Sequence, residues 1–84
     1  MNYVYILRCK DNTLYTGWTT NIERRLKKHN SGNGAKYTRG RIPVVLEYYE
    51  VYESKKEATK REYFIKKLNK SKKEKLIRNF KENL

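Results

Sequence analysis

Three side chains in this sequence stand where chemistry could use them. Arg25 and His29 are four residues apart in a stretch, Ile22 to about Asn30, that reads as a helix. That spacing projects both from one side, flanking the apolar pair Ile22 and Leu26. A guanidinium able to grip an oxyanion would then sit at the edge of the core beside a base that titrates near neutrality. The same spacing is common on solvated basic helices, where Arg25 would be no different from Arg24, Lys27 or Lys28. Glu62 is the third. In the segment following Ser54, the positions Ala58, Glu62 and Ile65 follow the phase of a buried helical stripe, with an acid where an apolar residue belongs. Either the carboxylate answers a nearby cation at a boundary position, or it holds a metal, because Mg²⁺ accepts a carboxylate oxygen while keeping several waters. Both readings stay open.

The elements that must position these groups are legible from pattern. Tyr3-Val-Tyr-Ile-Leu-Arg8, the turn chemistry of Lys10-Asp-Asn12 and the extended Thr13-Leu-Tyr-Thr-Gly17 together predict a hairpin. Period-two alternation places Tyr3, Tyr5 and Leu7 on one face of the first strand and Thr13, Tyr15 and Gly17 on one face of the second. Tyr5 and Tyr15 share a face of the sheet if the register cooperates. Thr19-Thr20-Asn21 offers N-caps for the first helix, and Ser31-Gly32 stops it. Residues 32–41 combine three glycines with Lys36, Arg39 and Arg41, which predicts a mobile basic loop. Pro43 opens a strand through about Tyr52. Ser54-Lys-Lys-Glu57 and Ser71-Lys-Lys-Glu74 both match the capping-box pattern, the first ahead of a helix to about Leu68, the second ahead of one carrying Leu76, Ile77 and Phe80. The order β-β-α-β-α-α predicts one α+β unit over residues 1–84, a small three-stranded sheet with flanking helices.

Charge points to the partner. The 84 residues carry 21 Lys+Arg against 9 Asp+Glu, a net charge of +12, and such an excess attracts a polyanion at long range. Division at Gly40 leaves +6 on either side, from 8 basic and 2 acidic residues before it and 13 and 7 after it. The charge is therefore no detachable tail. The aromatic and aliphatic runs Tyr3–Leu7, Val44–Val51 and Tyr63–Ile65 argue against disorder. Cys9 is the only cysteine and His29 the only histidine, so neither an internal disulfide nor a Cys/His zinc site is possible. With no apolar run near the roughly 20 residues of a membrane span and no signal-peptide pattern, the expectation is a soluble cytoplasmic monomer.

Tyr3-Val-Tyr5, with Tyr15-Thr-Gly17 starting ten residues after Tyr5, resembles the paired tripeptides that name the GIY-YIG nuclease family. The rest follows at matching distances: an arginine eight residues past the second glycine (Arg25), a histidine twelve past it (His29), and later a helical glutamate (Glu62) within Arg61-Glu-Tyr-Phe-Ile-Lys-Lys-Leu68. Ser31-Gly-Asn-Gly-Ala-Lys-Tyr-Thr-Arg39 is similar to the small stand-alone bacterial group and to the nuclease subunit of eukaryotic structure-specific endonucleases. The chain departs from the pattern where Tyr3 replaces glycine and where Val4 and Thr16 replace isoleucine; both tyrosines and the second glycine remain.

The resemblance implies a metal-dependent endonuclease hydrolysing nucleic-acid phosphodiesters, DNA more than RNA, and selecting structure rather than sequence because no separate targeting domain is present. Tyr5 would be general base or would orient the attacking water, and Tyr15 would hydrogen-bond to the phosphate or water. Arg25 would neutralise phosphate charge, His29 would assist proton transfer, and Glu62 would hold one Mg²⁺ or Mn²⁺. Gly17 would bring backbone close to the substrate as the chain turns out of its strand, and Lys36, Arg39 and Arg41 would contact the nucleic-acid backbone. A non-catalytic DNA- or RNA-binding module of the same fold, an RNA-associated accessory protein, and a protein partner are the alternatives left open.

Overall fold

The computed structural model describes residues 1–84. β1 (Asn2–Arg8) and β2 (Leu14–Thr19) form the hairpin, followed by α1 (Ile22–Asn30), the short α2 (Lys36–Arg39), β3 (Val45–Tyr52), α3 (Lys55–Lys66) and α4 (Lys70–Glu82). The hairpin turn closes because Asp11 Oδ1 accepts from the Thr13 N–H at 3.1 Å and from the Thr13 hydroxyl at 2.6 Å. Asn12 takes the left-handed φ of 70° that asparagine tolerates. The sheet is antiparallel throughout in the order β2-β1-β3.

A central strand is covered on both faces, and alternation along β1 separates two cores. Val4 and Ile6 pack with Tyr48, Ala58, Ile65 and Ile77 on the face that α3 and α4 cover. Tyr5, Leu7 and Cys9 pack with Val44 and the partly buried Tyr15, Leu26, Ile42 and Leu46 on the face of α1. A bulge in β3 lets Leu46 oppose Leu7 while Tyr48 opposes Ile6. Leu46 and Tyr48, which simple alternation would put on one face, therefore serve opposite cores.

Ion pairs tie the helices down. Arg8 donates to Glu47 at 2.8 Å and to both oxygens of Glu74 at 2.6 and 2.8 Å, and Lys81 adds a second cation on Glu47. On the α3 side, Glu50 accepts from Arg61 and from the hydroxyls of Tyr48 and Tyr52. These clasps engage Arg61 of α3 and Lys81 of α4 and leave most other basic side chains of the two helices outside them.

Two local expectations need correction. Residues 32–41 are not an open loop: Lys36–Arg39 form a helical turn. At the last helix the cap is Asn69, whose side chain accepts from the Lys72 N–H, so Ser71 lies inside the first turn. The Ser54 cap is as read, with the Glu57 N–H bonding to the Ser54 oxygen and the Ser54 hydroxyl donating to the Glu57 carboxylate, both at 3.1 Å. No helix is long and apolar enough to cross a membrane.

Candidate active site

Cross-strand pairing sets Tyr5 opposite Gly17 and Leu7 opposite Tyr15, so the two tyrosine side chains lie on the α1 face, their ring centroids 6.4 Å apart. Gly17 makes this possible. A Cβ there would lie 2.6 Å from Tyr5 Oη, 2.8 Å from Cζ and 3.1 Å from the Tyr15 ring. Gly17 is buried within β2 and does not turn the chain out of the strand. Its missing side chain is the space in which the Tyr5 hydroxyl crosses β2, the edge strand.

His29 is wholly buried rather than at the rim of the core. The last turn of α1 aims its ring at Tyr5: Nε2 stands 3.1 Å from Tyr5 Oη, and Nδ1 stands 2.8 Å from Thr38 Oγ1. The direction of the two imidazole bonds follows the Thr38 hydroxyl. When that hydroxyl donates to the Ala35 carbonyl at 3.0 Å, His29 Nδ1–H donates to Thr38 and the Nε2 lone pair accepts from Tyr5; when it donates to Nδ1, Nε2–H donates to Tyr5 instead.

The short α2 exists at this place to complete that chain. Thr38 is fully buried, and the approach of its loop needs Gly34, where a Cβ would meet His29 Nδ1 at 2.4 Å and the α1 backbone at 2.7 Å. Tyr37 lays its ring 5.8 Å from that of Tyr15, and Tyr15 in turn lies 5.2 Å from the His29 ring. Gly34, Tyr37 and Thr38 were within the stretch that carries the family resemblance, yet nothing in their local spacing marks a contact back to His29.

Two charged groups act on this network from different helices. Burial, then Tyr15, raises the Tyr5 phenol well above its ordinary 10; the Arg25 charge opposes this and the Glu62 charge adds to it. Glu62 on α3 and Arg25 on α1 thus both lie within electrostatic reach of Tyr5, from helices that pack on opposite faces of the sheet. Burial foremost, then Arg25 and Lys28, holds the His29 imidazole below its ordinary 6.5. At neutral pH the resting site holds a neutral phenol hydrogen-bonded to a neutral imidazole.

The Glu62 side chain is 17% exposed and its one ionic partner is Lys66, at 3.4 Å across one helical turn. No group of three or more His, Cys, Asp or Glu side chains gathers around it or elsewhere. A lone, half-buried carboxylate with oxygen lone pairs to spare fits a hydrated divalent ion rather than an all-protein cage. Of the expected backbone contacts, Lys36 and Arg39 are exposed on α2. Arg41 is engaged: its guanidinium bonds to Asp11 at 2.9 Å and the Tyr37 carbonyl at 2.6 Å, and lies 4.2 Å over the Tyr37 ring. It clasps α2 to the hairpin turn.

Residues 1–75 match the model of the GIY-YIG catalytic domain. A UPF0213 protein of Clostridium perfringens is 65% identical over 77 residues, covering 92% of this chain and 83% of its own length. One from the archaeon Halobacterium salinarum is 54% identical and matched over its whole length, so the group extends beyond bacteria. The solution structure of a UPF0213 protein from Bacillus halodurans shares 56% identity and superposes with a TM-score of 0.59, covering 92% of this chain and 83% of that one. A protein from E. faecalis, at 47% identity, superposes at 0.63 with 94% and 84% covered. Paired tyrosines on one sheet face, the arginine and histidine of α1 and the glutamate of α3 thus have their context, and the chain belongs to the GIY-YIG nuclease family.

Proposed function

We propose that the chain is a metal-dependent endonuclease that hydrolyses phosphodiester bonds, in DNA more than RNA, selecting substrate structure rather than sequence. The observation that carries this reading is the buried Thr38–His29–Tyr5 chain, which in its Nδ1–H tautomer points a histidine lone pair at a phenol on which the charges of Arg25 and Glu62 converge. In the proposed step a water loses its proton to Tyr5 Oη as the Tyr5 proton passes to His29 Nε2. Tyr5 ends neutral, and the imidazolium keeps its Nδ1–H bond to Thr38. Such a relay avoids a free tyrosinate, which the raised pKa of Tyr5 makes costly. Arg25 neutralises charge gathering on the phosphate. Glu62 would hold Mg²⁺ or Mn²⁺, which supplies Lewis-acid stabilisation of the phosphate and leaving oxygen.

The test is a cleavage assay on single-stranded, duplex, flap and branched substrates with and without Mg²⁺ or Mn²⁺. Tyr5→Phe keeps the ring and removes the relay atom; Glu62→Ala removes the carboxylate. Metal-dependent cleavage lost in both supports the reading, and cleavage unchanged in both purified variants sinks it.

A further inference from the structure

The six ion pairs of the protein use Arg8, Arg41, Arg61, Lys66 and Lys81 as cations. Arg24, Arg25 and Lys28 take no part in them, yet these three line one cleft of about 180 Å³ between the end of β2 and the start of α1. Its remaining walls are Thr19, Thr20 and Asn21, so no apolar side chain contributes. Arg24 and Lys28 are four residues apart and overlie each other on α1, with Arg25 beside them. Glu23, the nearest acid in sequence, is not a wall of this cleft; it lines an adjoining depression that shares Thr20 and Asn21 with it.

Three like charges held together without an acid repel one another, and an anion relieves that repulsion. The polar groups of the walls are partly committed. The Thr19 hydroxyl bonds to the Asn21 backbone, and the Asn21 side chain caps the Arg24 N–H. What remains for a ligand is the three cationic heads and the Thr20 side chain, which is exposed. All are donors, a set suited to phosphate oxygens.

We infer that the cleft of Thr20, Arg24, Arg25 and Lys28 is a subsite for a second phosphate of the nucleic-acid strand, next to the one that is cleaved. Arg25 is the shared wall, since it lines the cleft and its charge also reaches Tyr5. The inference rests on the nuclease reading for its substrate class and adds a placement: the strand runs from the β2 edge along the outer side of α1. Occupation also acts on the relay. Arg25 and Lys28 are the charges that depress the basicity of His29, and a bound phosphate offsets them, so His29 becomes a stronger base when substrate is seated.

The experiment measures binding without cleavage. Fluorescein-labelled single-stranded and duplex DNA are titrated with the whole chain in EDTA over a range of NaCl concentrations. Arg24→Gln/Lys28→Gln is compared with Lys56→Gln/Lys75→Gln, which removes two exposed lysines elsewhere on α3 and α4. Loss of one phosphate contact lowers the slope of log K against log salt by about 0.9 on duplex and about 0.7 on single strand. The α1 double variant is expected to show that drop, with affinity about tenfold weaker at low salt. The control pair should keep most of both. Titration of the wild-type chain with thymidine 3′,5′-bisphosphate should shift the amide signals of Thr20, Arg24 and Lys28 and raise the pH at which His29 titrates. Equal effects of the two double variants, or no binding by the wild-type chain, overturn the subsite. A chain that binds as described and cuts nothing with metal keeps the subsite and loses the nuclease reading.

Discussion

Replacement of Thr38 by valine separates the proton relay from the packing that surrounds it. Valine has nearly the shape of threonine, so the fully buried position is still filled, but the Nδ1–H of the proposed relay loses its acceptor. The Ala35 carbonyl keeps the backbone N–H of residue 38 at 3.0 Å and is not orphaned. An unpaired buried donor costs about 1–3 kcal/mol. The imidazole escapes that cost by moving its proton to Nε2, which then donates to Tyr5 Oη and no longer accepts from it. The productive tautomer is thereby depleted roughly 5- to 150-fold, and cleavage should slow by that factor with DNA affinity unchanged. Thr38→Ser restores the acceptor and most of the rate. Imidazole ¹⁵N shifts of the single histidine report the tautomer directly, whether or not a substrate is cut. Wild-type cleavage by Thr38→Val with the proton still on Nδ1, or a serine variant as slow as the valine one, would refute the reasoning.

Gly17→Ala puts a methyl 2.6 Å from Tyr5 Oη and forces the ring aside; overpacking of this kind costs about 1–3 kcal/mol, read as a lowered Tm together with loss of the Tyr5–His29 hydrogen bond. Because burial holds the folded-state pKa of His29 below its ordinary 6.5, the unfolded chain binds the proton first. The stability contributed by neutral His29 is therefore fully present above about pH 6.5 and is lost as pH falls through the depressed folded value. Chemical denaturation from pH 7.5 to 5 should show this decline, flattened in His29→Gln, and a wild-type profile no steeper than the variant's would contradict it. The acid limb of any cleavage profile should likewise lie at lower pH in the free enzyme than an ordinary histidine would give.

Much of the fold was legible because its signals are local. The Asp11 turn, the Asn21 and Ser54 caps and the alternation of Tyr5 with Val4 and Ile6 are each written within a few residues, and each forms as read. Where a local pattern had a competitor, it could mislead: Ser71-Lys-Lys-Glu74 has capping-box spacing, but Asn69 caps first, and Glu74 is drawn to Arg8 instead. In β3 the bulge puts Leu46 and Tyr48 on opposite faces, a change no alternation count contains.

The site divides along the same line. Arg25 and His29 are neighbours on a helix, so their spacing placed them together, while only the family resemblance gave them a role. Thr38 is nine residues from His29 and belongs to a segment whose glycines and cations read as an open basic loop. The composition of that segment has a different physical cause. Gly34 is there because His29 occupies the space a Cβ would need, and Arg41 because Asp11 and the Tyr37 ring hold it against the hairpin. Glycine and arginine mark flexibility and ligand contact when nothing packs on them, and close packing when something does. Only the tertiary fold distinguishes these cases. In this segment it sets Thr38, a buried hydroxyl, against His29 and leaves Lys36 and Arg39 exposed on either side of it.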